Sequence, residues 1–136
     1  MDKGPANCPV VGQNGGMLAD AILLVHAAFV LFVVGGLAAI WLGLALRQPW
    51  VRSRAFRLSH LAAIAFVAAE SLLGIACPLT VWEDALRGRN PGAESFVGRA
   101  VRAALYWDLP EAVFTAAYVA FALLVAWTWW RWPPRR

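Results

Sequence analysis

Two histidines and one glutamate interrupt the longest apolar stretches of this 136-residue chain. His26 falls within Ala21–Leu46, and His60 and Glu70 fall within Leu58–Ala76. An ionised group at the centre of a bilayer costs roughly 2.5–3.5 kcal/mol, so each of these residues needs a partner or a task. If consecutive apolar helices run antiparallel with Leu18 level with Ala76, His26 lies level with Ala68. At a rise of ~1.5 Å per residue it is then about 3 Å in depth from Glu70. Counted from Glu111, Thr115 and Tyr118 of the third apolar stretch reach the same layer. A polar cluster of His26, Glu70, Ser71, Thr115 and Tyr118 is expected, with Asp20 and Cys77 near its mouth. Its chemistry would be proton handling or the binding of a small lipophilic ligand such as a quinone or a lipid. A single hydrogen bond between neutral His26 and neutral Glu70, locking two helices together, is the simpler alternative.

The histidine pair does not suit a haem. His60 lies level with about Val34, more than two helical turns from His26, whereas two axial nitrogens must come within about 4 Å of each other. Single-histidine or inter-subunit ligation stays open, and no cofactor is predicted. His60 reads as an interfacial residue near the Arg57 cluster. Cys77-Pro78 repeats the dipeptide Cys8-Pro9. Both cysteines fall on one side of the membrane in this arrangement, so they could form a disulfide, or Cys77 could remain a thiol. Zinc-ligand spacing, a phosphate loop, a dinucleotide fingerprint and a nucleophile elbow are all missing from the sequence, which disfavours an enzyme and leaves catalytic and metal residues unassigned.

The elements that must position these groups follow from composition. The chain is 61% hydrophobic and 15% charged, with a mean hydropathy of +0.61. Soluble domains run near 45–50% apolar and about 25% charged, so an all-α integral membrane protein is expected. Three stretches match the ~20 residues needed to cross a bilayer, at about 18–46, 58–76 and 110–130. Two short amphipathic helices, about 80–88 and 95–106, should lie at the interface on one side. A four-helix membrane bundle, with a short span at 95–106, is the alternative. Residues 1–16 read as a flexible tail before a single transmembrane domain at 17–134, with Met17 an alternative start. Thr80 with Glu83, and Asp108 with Glu111, have the spacing of helix caps. Leu79, Trp82 and Leu86 share one side of the first short helix, with Glu83, Asp84 and Arg87 largely opposite, as on a membrane surface. Gly35, Ala39 and Gly43, and likewise Ala112, Ala116 and Ala120, form small-residue stripes that would admit a neighbouring helix, a protein partner or a second copy.

The net charge of +4 resides in arginines at helix ends, so nucleic acid is not an expected partner and the lipid bilayer is. Arg47, Arg52, Arg54 and Arg57 fill the link 47–57 without an acid, and Arg131, Arg135 and Arg136 end the chain on the same side. The positive-inside rule then gives a cytoplasmic C-terminus and an N-terminus outside.

The run HLAAIAFVAAESLLGIACPLTVWEDALRG, with LADAILLVHAAFVLFVVGG before it and YWDLPEAVFTAAYVAFALLV after it, resembles a bacterial membrane family catalogued as domain of unknown function 2784. The resemblance covers about Met17 to Pro134, and CPLTVWE is its most specific part. His26, His60, Glu70, Cys77, Pro78, Trp82, Glu83, Tyr106 and Asp108 match its characteristic stretches. The tail 1–16 departs from the family's compact start, which puts the Cys8 bond in question. The resemblance implies a small polytopic inner-membrane protein and carries no activity with it. The functional expectation is therefore a structural or accessory subunit of a membrane assembly, with the His26–Glu70 ligand or proton site as the alternative.

Overall fold

A computed structural model describes residues 13–134. The described residues form five α-helices, a single 3-10 turn and no strand. α1 is Gln13–Ala45, α2 Arg54–Leu72, α3 Pro78–Leu86, α4 Phe96–Leu105 and α5 Glu111–Arg131, with the 3-10 turn at Trp50–Arg52 between α1 and α2. α1, α2 and α5 are long and apolar enough to cross a membrane. With 10 residues, α4 reaches only about 15 Å and cannot serve as a fourth span. The cysteine at position 8 and most of the expected tail lie outside the described residues, while residues 13–16 are already helical and open α1.

The helix boundaries have local causes. α2 starts four residues earlier than the apolar run suggests, because Ser53 caps it, its side chain accepting from the Phe56 amide. It ends at Leu72 rather than at Ala76. Gly74 adopts φ 67°, the Ile75 amide donates to the Glu70 carbonyl at 2.9 Å, and the Gly74 amide donates to the Ser71 carbonyl at 3.3 Å. That paired closure needs a left-handed residue, which glycine adopts without a Cβ clash. Pro78 therefore opens α3 instead of ending α2, and at the first helical position its missing amide costs nothing.

Neither expected cap forms. Cys77 is the N-cap of α3, which leaves Thr80 one turn inside the helix with a buried hydroxyl, while Glu83 turns to other partners. Pro110 precedes α5 without a side-chain cap, and Asp108 is exposed two residues upstream. Glu111 instead accepts from the Ser95 amide at 3.2 Å, tying the starts of α4 and α5 together.

α2 packs chiefly against α5, and α1 chiefly against α3. The core between the long helices is built on Val33, Leu37, Ile64 and Val125. α1 and α2 meet where the fully buried His60 ring donates from Nε2 to the Val33 carbonyl, at 2.7 Å. That register lies one residue from the level expected for His60, but the ring is a packing element rather than an interfacial one. Gly36 makes the contact feasible, since a Cβ there would come within 2.5 Å of His60 Cδ2. The Gly35–Ala39–Gly43 stripe is not a helix–helix groove among the described residues. A Cβ added at Gly35 would meet nothing within 4 Å, and Gly43 faces Val51 of the 3-10 turn. At the same end the buried Arg57 donates to the Thr128 and Trp132 carbonyls at 3.0 and 2.7 Å, and Trp41 donates to Thr128 Oγ1 at 3.1 Å. Arg57 thereby pairs the Trp132 carbonyl, which the helix itself leaves unpaired, and shares the Thr128 carbonyl with the Trp132 amide.

Gly36→Ala should destabilise the protein by about 1–3 kcal/mol, the usual cost of overpacking against a rigid ring. Gly35→Ala, one position away, should be neutral or slightly stabilising. Denaturant unfolding in detergent, followed by helical circular dichroism, checks the pair. Equal losses from both would show that the His60 contact is not what constrains position 36.

Candidate functional site

α3, α4 and their connecting link form a headpiece over one end of the long helices. Its centre is two adjacent carboxylates, Glu83 and Asp84, each 2% exposed. This inverts the expected surface helix, because the acids face inward and Trp82 is 58% exposed. Three arginines from different segments account for the inversion. Glu83 Oε1 accepts from Arg87 Nε at 2.9 Å and from an Arg89 terminal nitrogen at 2.8 Å, and Glu83 Oε2 from Arg99 at 3.0 Å. Asp84 Oδ1 accepts from Arg89 Nε at 3.0 Å and from Arg99 at 2.8 Å, and its Oδ2 from the Gly92 amide at 3.1 Å. Carboxylates withdrawn from water are tolerated when their lone pairs are filled in this way. Arg87 also reaches Asp20 on α1 at 2.6 Å, and its hydrogen bonds to Asp20 and Glu83 hold its guanidinium above the ordinary arginine range. Ser95 caps α4 through the Gly98 amide, and α4 ends at Tyr106, which has φ 56° and is 91% exposed.

Beneath this roof lies a cavity of about 310 Å³, walled by α1, α2 and α5. The wall is mainly apolar, with Val30, Val67 and Phe121 among its residues. The expected cluster divides around it. His26, Glu70, Ser71 and Tyr118 all line the cavity. Thr115 lines a second, more polar space of about 220 Å³ nearer the link, with Glu94, Ser95 and Glu111. Ser71, Ile75, Cys77 and Thr80 line both. The Ser71 and Thr115 hydroxyls are hydrogen-bonded at 2.7 Å, joining α2 to α5. No hydrogen bond links His26 with Glu70, so the simple helix lock is not formed. His26 instead stacks on Phe96 of α4, with centroids 4.4 Å apart. Its Nδ1 is buried without a partner among the described residues, as is Thr80 Oγ1.

Phe96, Thr80 as a wall residue, and the arginine partners of Glu83 and Asp84 were not legible as site residues. The usable signal was the pair Glu83-Asp84 followed by Arg87, Arg89 and Arg99, which a surface-helix interpretation distributes to solvent.

Arg99 bridges both buried carboxylates, so Arg99→Ala should cost about 3 kcal/mol. Arg102, whose side chain is 54% exposed and pairs with Glu94, should cost no more than about 1 kcal/mol. Unfolding midpoints of the two alanine variants decide this, and equal midpoints would mean that the buried acids do not hold the headpiece.

The CPLTVWED stretch thus supplies the N-cap, the unpaired threonine and both buried acids at the core of the headpiece. No curated protein and no solved structure matches the chain. A family model described as Protein of Unknown function (DUF2784) matches residues 16–134, nearly the whole chain, and the protein belongs to that family.

Proposed function

We propose that the protein is a bacterial inner-membrane protein that binds a small lipophilic molecule bearing a hydrogen-bonding head, of the quinone or lipid class, in the cavity beneath the headpiece. The observation that carries this is that His26 and Thr80 both line this mainly apolar cavity, while His26 Nδ1 and Thr80 Oγ1 are buried without partners among the described residues. A buried donor or acceptor left unpaired costs about 1–3 kcal/mol, and a ligand head that engages both would remove that cost. The adjoining polar space offers Ser71, Thr115 and Glu111 to the same head, while the apolar wall takes the body. Glu70, half-buried on this wall, is the group through which a proton would be exchanged.

Three membrane-crossing helices, with the headpiece at the outer surface, complete the proposal. The link 47–57 and the C-terminus, rich in arginine and free of acids, would face the cytoplasm. α1 has 33 residues and a length of about 50 Å, which carries its first turns beyond a hydrocarbon core of ~30 Å to meet α3. A second function, accessory subunit of a membrane assembly, is favoured by a separate observation. Ala112, Ala116 and Ala120 are all exposed on α5, so that small-residue face is available to another helix.

Thr80→Val keeps the shape and removes the unpaired hydroxyl. It should leave stability unchanged or slightly raised, yet weaken ligand binding about 5- to 10-fold, the value of one hydrogen bond. His26→Leu should weaken binding at least as much. Decylubiquinone titrated against tryptophan fluorescence, beside mass spectrometry of lipids retained from native membranes, gives the readout. If both variants retain the wild-type ligands at wild-type affinity, the cavity is not the site and the subunit function is preferred. Orientation has its own check: a C-terminal green fluorescent protein fusion should fluoresce, and a dark but inserted fusion would reverse the topology.

A further inference from the structure

We propose that the cavity between the end of α1 and the 3-10 turn binds a phosphate group, carried by an anionic lipid or free in solution. This cavity lies at the opposite end of the molecule from the one beneath the headpiece and does not depend on it. Its volume is about 260 Å³, and Gly43, Leu44, Arg47, Gln48, Pro49 and Arg52 line it. Two arginines therefore line one concave space. Arg52 Nε is buried and has no partner among the described residues. Among the same residues every ion pair belongs to Arg87, Arg89, Arg99 or Arg102 at the headpiece, and none to Arg47 or Arg52. The neighbouring Arg57 is committed to carbonyls of α5, which do not neutralise its charge. The segment 47–57 contains no acid. An anion is the missing counterpart, and paired guanidinium forks fit the oxygens of a phosphate.

The backbone gives a second, independent reason. Arg47 has φ 56°. It closes α1 through the same double bond pattern that ends α2 and α3, with the Gln48 amide on the Gly43 carbonyl at 2.8 Å and the Arg47 amide on the Leu44 carbonyl at 3.2 Å. In α2 and α3 the left-handed position is glycine, Gly74 and Gly88. An arginine there carries a conformational cost that glycine avoids, and strain of this kind at an exposed cap points to a use for the side chain. Leu46 and Trp50 beside the cavity are 61% and 52% exposed, as suits a membrane boundary where lipid phosphates lie.

The test uses the full-length protein in neutral detergent and native mass spectrometry. Phosphatidylglycerol is titrated against phosphatidylcholine, and inorganic phosphate is added as competitor. The wild type should retain phosphatidylglycerol preferentially. Arg47→Gly and Arg52→Gln should each weaken that retention about five-fold, the effect of one arginine at an anionic surface. Arg47→Gly should also raise the melting temperature, which separates lost binding from lost fold. Arg54→Gln, exposed and outside the cavity, should bind as the wild type does. Displacement of the lipid by inorganic phosphate supports the site with a soluble source, and resistance to displacement supports the lipid. Undiminished retention in Arg47→Gly, or an equal loss in Arg54→Gln, would overturn the proposal, because diffuse attraction to basic helix ends would then explain the binding.

Discussion

Withdrawing Glu83 and Asp84 from water is the constraint on which the headpiece depends. Two adjacent carboxylates repel each other and resist burial, so they can occupy this place only if cations reach them from several directions. The cations come from the end of α3, the following link and α4, while Gly92 supplies an amide from a turn that a side chain would block. Satisfying the acids therefore fixes the path of the chain from residue 83 to residue 99. That path brings Phe96 onto His26 and Thr80 onto the cavity wall, so the electrostatics of the roof set the geometry of the space below.

The opposite end is held by different means. His60 inserts its ring against a bare helix backbone at Gly36, and Arg57 closes the carbonyl end of α5. Both are polar groups spent on backbone oxygen, the acceptor that helices leave most accessible at their ends and at glycine. Between the two ends the packing is apolar and makes few specific demands. The molecule thus has a polar fastening at each end and an adaptable middle, an arrangement suited to holding a cavity near one fastening.

What the sequence revealed, and what it hid, follows the range of the forces involved. Hydrophobic runs identify the three long helices because a span is a local property of about twenty residues. The antiparallel depth count put His60 within one residue of its contact on α1, since helical rise is constant. Cap assignments at Thr80 and Asp108 went astray because Pro78 and Pro110 hold the helix starts one turn and two residues away. The inward face of α3 was illegible for another reason. Polarity along one helix indicates which side is charged, and only the arginines of the next two segments decide whether that side meets water or protein. The function of Gly36, admitting one imidazole, depends on a residue two dozen positions away.

The bond between Arg57 and the end of α5 also bears on the order of synthesis. α2 is the least apolar of the three long helices, and it carries Arg57 near its start. The carbonyls that receive this guanidinium belong to Thr128 and Trp132, 71 and 75 residues further along the chain. When α2 first emerges from the ribosome its main packing partner does not yet exist, and Arg57 must remain hydrated or close to lipid headgroups. The contact between α2 and the end of α5 therefore forms only after α5 has been made. The second helix waits in a provisional position until the fifth arrives.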